Sequence, residues 1–215
     1  MGFKEILPSE IEKESFRIIR KELLEAGKDF SPEVEPTVVR VIHTTADFEY
    51  ADTLEFSEGV IEKARDAIRR GAHIVTDTNM ALSGINKKTL SKYGGEVHCF
   101  MADEEVAVKA KKRGVTRAYV SMEMAAGIDS PLIFAIGNAP TALASLHRLW
   151  KEKSFRPELI IAVPVGFVNV VEGKELIRSM DVPYIINAGR KGGSGVAAAI
   201  CNSILYNMNE SNIYH

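Results

Sequence analysis

His43 and Arg40 are the side chains best placed for chemistry. They stand three residues apart in Thr37-Val38-Val39-Arg40-Val41-Ile42-His43-Thr44-Thr45, a stretch with the apolar spacing of a helix. On a helix that spacing puts both on one face, about 5–6 Å apart at Cβ. Imidazole exchanges protons near neutral pH and guanidinium anchors anions, so the pair is a unit of acid–base chemistry for an anionic substrate. A lone histidine on a helix is more often a surface or packing residue, so the pair takes its meaning from the rest of the chain.

The elements that must position the pair follow from composition and periodicity. At 215 residues, with 46% apolar and 26% charged residues, the chain has globular values and reads as a single domain over residues 1–215. A net charge of −2 gives no general attraction to nucleic acid or anionic membrane, while leaving room for a local basic pocket. No run reaches the ~18 apolar residues of a membrane span. Cys99 and Cys201 make no disulfide framework and no Cys-x-x-Cys pair, so a reducing cytoplasm is the expected compartment. Met1-Gly2-Phe3-Lys4-Glu5-Ile6 begins like a myristoylation signal but has isoleucine where serine or threonine is needed.

Two N-terminal helices are expected within residues 1–50. Ser9 caps one through about Ala26, with Gly27 as its stop. Ser31-Pro32 opens the second, which carries Arg40 and His43 and has Pro36 near its first turn. Ser57-Glu58 starts a further helix that Gly71 ends. Apolar runs then recur at 73–76, 97–101, 132–136, 159–163 and 183–186, separated by helical patterns near 104–112, 117–126, 140–151, 168–180 and 195–207. Continuous apolar strands alternating with amphipathic helices imply a doubly wound parallel sheet of about five strands, covered on both faces.

Ligands of such sheets sit beyond the carboxyl ends of the strands. Those ends read Thr76-Asp77-Thr78-Asn79, Gly137-Asn138-Ala139-Pro140-Thr141, Pro164-Val165-Gly166-Phe167-Val168-Asn169, and Asn187-Ala188-Gly189-Arg190-Lys191-Gly192-Gly193-Ser194-Gly195. Polar and glycine-rich chemistry is therefore gathered on one edge, with Asp77, Asn138, Arg190 and Lys191 as candidate contacts.

In the last of these loops, Gly192, Gly193 and Ser194 let backbone N–H groups approach a ligand at a helix start. Arg190 and Lys191 add full charges suited to carboxylate or phosphate. The alternative is a flexible connection with solvated cations. Gly193-Ser194-Gly195-Val196-Ala197-Ala198 matches a dinucleotide fingerprint, but it opens the last helix with no strand after it, whereas the fingerprint follows the first strand of a βαβ unit. Phe167 suits a flat apolar ligand or else closes the core. Asp77 either contacts the ligand or caps the helix that follows it.

The remaining histidines offer less. His73 and His98, in or beside buried strands, read as packed and hydrogen-bonded; His147 lies on a helix and His215 is the final residue. No His-Glu-x-x-His or cysteine–histidine spacing suggests a protein-bound metal, and no Gly-x-Ser-x-Gly elbow supplies a nucleophile.

Five segments together resemble the precorrin-8X methylmutase (cobalt-precorrin-8 methylmutase) family of cobalamin biosynthesis. They are Ser15-Phe16-Arg17-Ile18-Ile19-Arg20, Val39-Arg40-Val41-Ile42-His43, Ala135-Ile136-Gly137-Asn138-Ala139-Pro140-Thr141-Ala142-Leu143, Pro164-Val165-Gly166-Phe167-Val168 and Gly189-Arg190-Lys191-Gly192-Gly193-Ser194. They run in the family's order from about residue 10 to 205. Gly195 departs from the pattern, where related sequences tend to carry a side chain.

The resemblance implies a cofactor-free isomerase that moves a methyl group from carbon 11 to carbon 12 of a corrin precursor, giving hydrogenobyrinate or cobyrinate. Any cobalt would be carried by the substrate. His43 matches the family's catalytic position, as donor of a proton to the neighbouring ring nitrogen, and Ser15 and Arg40 match substrate contacts. The implied fold is a flavodoxin-like three-layer α/β/α sandwich, forming a homodimer with sites near the subunit interface.

The implied partner is a tetrapyrrole fringed by carboxylates, with neither nucleic acid nor membrane. A sigmatropic shift needs positioning more than bond-breaking groups, which accounts for the missing nucleophile and cofactor motifs. Two other readings are a binding protein that holds a corrin without turnover and a nucleotide-using enzyme built on the glycine-rich loop. No residue separates a metal-free from a cobalt-loaded substrate.

Overall fold

The computed structural model describes residues 7–208. The Met1–Ile6 start and His215 lie outside the described residues. The chain begins with helices α1 (Pro8–Glu25), α2 (Glu35–Thr45) and α3 (Tyr50–Thr53), then strand β1 (Leu54–Phe56) and α4 (Val60–Arg69). Next come β2 (His73–Thr76), α5 (Asn79–Gly84), α6 (Lys87–Ser91), β3 (Val97–His98), α7 (Glu104–Arg113) and α8 (Arg117–Ala125). The remainder alternates as β4 (Leu132–Ile136), α9 (Pro140–Lys153), β5 (Leu159–Ala162), α10 (Val170–Arg178), β6 (Tyr184–Asn187) and α11 (Ser194–Tyr206).

Local chemistry explains most boundaries and two departures. α1 starts at Pro8 with Leu7 at the N-cap, two residues before the expected Ser9 cap, and Gly27 (φ 69°) lies just past its end. Ser31-Pro32 does not open α2. The Ser31 carbonyl accepts from the Val34 and Glu35 N–H groups, closing a turn, and the helix starts at Glu35 with Pro36 in its first turn. Proline has no N–H to donate, so Pro36 is tolerated only at that start. α4 begins at Val60 behind Gly59, whose φ of 62° favours glycine.

The sheet has six strands in the order β1-β6-β5-β4-β2-β3, one more than expected, and it is mixed. β1 pairs antiparallel with β6 through Leu54↔Asn187, Glu55↔Ile186 and Phe56↔Ile185, while the other pairings are parallel. β3 is shorter than its apolar run, with two register pairs.

Strand side chains alternate between faces. Ile74, Ile133, Ala135, Ile161 and Ile185 pack against α2, α4 and α11. Val75, Phe134, Ile136, Ile160 and Ile186 pack against α8, α9 and α10. All five residues of β4 are buried, as two-sided coverage of a central strand requires. Full burial of a side chain such as Phe134 or Ile133 contributes about 1.5–3 kcal/mol.

Candidate active site

α2 is the element that carries His43, and its burial fixes the direction of the histidine. Val38, Val39, Val41 and Ile42 are buried, leaving His43 and Thr44 exposed on the outer turn. α2 packs antiparallel to α11: Thr37 Oγ1 meets Ser203 Oγ at 2.5 Å near one end, and Thr44 lies beside Gly195 at the other. The last turn of α2 therefore reaches the edge where the strands end and the glycine-rich loop begins.

His43 Nδ1 lies 2.7 Å from Ser15 Oγ on α1. Phe16 presents to the imidazole edge-on, with ring centroids 5.3 Å apart. A hydroxyl can both donate and accept, so Ser15 serves either protonation state of Nδ1 and leaves Nε2 for a ligand. Arg40 is braced as firmly. Its guanidinium sits 5.0 Å from the Phe16 ring and 4.7 Å from the Tyr206 ring, and donates to Glu12 at 2.9 Å. The sequence readings of His43, Arg40 and Ser15 thus fall on one surface formed by α1, α2 and α11.

The glycine-rich loop is held to its neighbours by backbone hydrogen bonds. Gly193 N–H donates to the Val163 carbonyl at 2.9 Å, and Gly166 N–H to the Arg190 carbonyl at 3.1 Å. Gly192 has φ 155°, and a Cβ there would overlap the Val163 carbonyl, so no side chain fits. Ser194 Oγ is 2.7 Å from Thr78 Oγ1, joining the loop to the end of β2. At Gly195 the nearest atom to an added Cβ is Thr44 Cγ2 at 4.0 Å, so a side chain would be accommodated there.

The charged candidates separate into free and engaged groups. Among the described residues Arg190 has no carboxylate partner and lies 5.5 Å from the Phe167 ring. Phe167 is 83% exposed, so it does not close the core. The exposed Asn138 side chain has no hydrogen bond among the described residues. Lys191 Nζ instead donates to Asp47 at 2.6 Å and Glu49 at 2.7 Å, tying the loop to the segment after α2. Those bonds hold Lys191 above its ordinary range and Asp47 below its own.

Asp77 is fully buried. Its oxygens accept from the N–H groups of Gly137 at 2.9 Å, Asn138 at 2.8 Å and Ala139 at 2.6 Å, shaping that turn from beneath. Burial pushes its carboxyl up, against the pull of those three donors. The cap of the following helix is Thr78, whose Oγ1 accepts from Ala81 N–H at 3.1 Å, not Asp77.

Lys174 escaped the sequence reading. Its ammonium is buried and donates to the carbonyls of Gly189 at 2.8 Å and Lys191 at 3.0 Å. Asn187 Nδ2 reaches the same Lys191 carbonyl at 3.0 Å. The available signal was a lysine in the apolar register of α10, with Val170, Gly173 and Ile177.

Desolvation brings Lys174 down from 10.5 to about 8. Between those values the unfolded chain holds the proton that the folded protein has released, so unfolding free energy rises with pH there. Lys174→Met should remove up to about 1.4 kcal/mol per pH unit of that slope. Urea titrations of both proteins from pH 7.5 to 10.5 measure it, and equal slopes would refute the assignment.

The other histidines lie elsewhere. His147 is half-buried on α9, its ring centroid 5.7 Å from that of Trp150. His73 and His98 are hydrogen-bonded to each other at 2.7 Å, as packed strand residues were expected to be. Among the described residues no helix is long and apolar enough to cross a membrane.

Comparison with known proteins places this arrangement. The family model for precorrin-8X methylmutase matches residues 10–207. A cobalt-precorrin-8 methylmutase of Priestia megaterium is 44% identical, covering 93% of this chain and 88% of its own. One of Salmonella typhimurium is 43% identical, covering 95% and 97%. The crystal structure of the precorrin-8X methylmutase from Thermus thermophilus superposes with a TM-score of 0.84 at 38% identity, covering 94% of this chain and 98% of its own. With matches of this length and identity, the chain belongs to the precorrin-8X methylmutase family, isomerases that carry out an intramolecular methyl migration in cobalamin biosynthesis.

Proposed function

We propose that His43 is the acid in the family's reaction, the shift of a methyl group from carbon 11 to carbon 12 of a corrin precursor. The observation that carries this reading is the 2.7 Å pairing of His43 Nδ1 with Ser15 Oγ. In the imidazolium, Nδ1–H donates to Ser15 while Nε2–H is free to protonate the ring nitrogen beside the migrating methyl group. After transfer, Nδ1 keeps its proton and its bond. The reaction is an isomerisation, so the macrocycle gives up one proton for the one it gains, and that proton returns to His43 directly or through solvent. Ser15 thereby acts through the imidazole, a positioning role beside the substrate contact first expected of it.

The macrocycle is flat, apolar and fringed with carboxylates. Arg40, Arg190, the Asn138 amide and the backbone of Gly192, Gly193 and Ser194 are the groups we assign to its rim, with Phe167 against its face. Asp77 and Lys191 support these groups from behind. No protein-bound cofactor is required, and cobalt would arrive with the substrate. Taken in chain order the five parallel strands run 2-1-3-4-5, which supports a flavodoxin-like class, and one sheet with both faces covered supports a single domain. A homodimer and a cytoplasmic location complete the reading. Exposure of Phe167 and Val168, at 83% and 76%, beside the loop favours a site that another surface covers.

The test is the visible spectrum of purified protein incubated with metal-free precorrin-8X and, separately, with its cobalt form. Conversion of one to the corrin product is expected, and the faster substrate names the route. Binding without conversion would leave only a corrin-holding protein. Absence of both would overturn the reading.

A further inference from the structure

The facing histidines on β2 and β3 form a cluster that the methylmutase chemistry does not use. Parallel pairing sets Ile74 opposite Val97 and Val75 opposite His98. Alternation along each strand then puts His73, Glu96 and His98 on the same side of the sheet as Val75. That side packs against α8 and α9, whereas α2, the helix that carries His43, packs on the other. The cluster and the methylmutase site are therefore on opposite faces.

His73 Nδ1 and His98 Nε2 are 2.7 Å apart. The ring planes differ by 2° and the centroids are 5.0 Å apart, so the two nitrogens lie near the line between ring centres, tip to tip. One donor atom from each of His73, Glu96 and His98 falls within 4.8 Å of the others. The Phe100 ring lies nearly parallel to that of His98, with centroids 6.0 Å apart.

Two imidazoles and a carboxylate are the donor set of a zinc-type ion, with a fourth position left for water. Nitrogens bound at about 2.0–2.1 Å in a tetrahedral shell sit about 3.3 Å apart, so the pair would open slightly from its hydrogen-bonded spacing. β3 is an edge strand held by two register pairs and can make that adjustment. We propose that His73, Glu96 and His98 bind a divalent cation of the zinc class, which ties edge strand β3 to β2. Sequence spacing could not show this, since the two histidines stand on different strands.

The test uses the whole chain without a histidine tag, titrated with Zn2+ in a calorimeter. One ion per chain is expected, with at least tenfold weaker binding in His73→Ala and His98→Ala, a smaller loss in Glu96→Gln, and none in His43→Ala. Imidazole 15N resonances of the wild-type protein give a readout that needs no variant, since five histidines are few enough to assign. Zn2+ should shift His73 Nδ1 and His98 Nε2 together. Absence of stoichiometric binding, binding that survives both histidine variants, or shifts confined to other histidines would each overturn the proposal.

Discussion

Replacing His43 with alanine should leave a folded protein that binds the corrin product and turns over at least about 10²-fold more slowly, the usual scale of a lost general acid. The imidazole is exposed and packs edge-on to Phe16, so its removal opens no core cavity. The chemistry it supplies has no substitute nearby, since a serine hydroxyl is not acidic enough to protonate a ring nitrogen and the Arg40 guanidinium is engaged by Glu12. Circular dichroism, product titration and steady-state conversion followed in the visible spectrum separate fold, binding and turnover. Turnover close to wild type would remove His43 from the mechanism. Loss of product binding with it would make the residue a contact instead of an acid.

Asp77→Ala should have the largest effect on stability. Three backbone N–H groups lose their acceptor at once, with the Gly137 donor fully buried. A buried donor left unsatisfied costs about 1–3 kcal/mol, so a total loss of about 3–5 kcal/mol is expected. That is a large share of the ~5–15 kcal/mol by which a domain is stable. Asp77→Asn keeps one acceptor but turns an amide NH2 toward a donor, and should fall between the two. Urea unfolding monitored by tryptophan fluorescence and circular dichroism measures both variants. A loss below about 1 kcal/mol for Asp77→Ala would show that the 137–139 turn finds other partners.

Much of the architecture was readable from local signals. Runs of β-branched and apolar residues marked β2, β4, β5 and β6, and helical periodicity marked α7, α8, α9 and α11 to within a few residues. β1 escaped because three half-buried residues, Leu54–Phe56, become a strand only by pairing with β6, far along the chain. The start of α2 was misplaced because two prolines competed for it. Ser31 spends its carbonyl on a turn, and the later proline sets the boundary.

The site divides along the same line. His43 and Arg40 were legible because helical spacing brings them together without help from the fold. From its loop alone Lys191 reads as a substrate cation, whereas in the fold Asp47 and Glu49 engage it; Asp77 reads as a contact or a cap, whereas it lies buried beneath the 137–139 turn. Charge type is written in the chain, whereas its partner is a property of tertiary placement.

The antiparallel seating of α2 on α11 has a consequence for synthesis. His43 leaves the ribosome early, while the helix that seats its own helix and the strand that receives β1 are translated nearly last. Contacts that join such distant parts of a chain form slowly, since loop-closure entropy must be met before they can reward it. The layer of α8, α9 and α10 is therefore available to the nascent sheet before the opposite layer, which α11 completes and which carries the active surface. A chain stalled before α11 would expose the apolar faces of α2 and α4, Val38, Ile42 and Ile61 among them, and present an aggregation-prone intermediate to the cell's chaperones.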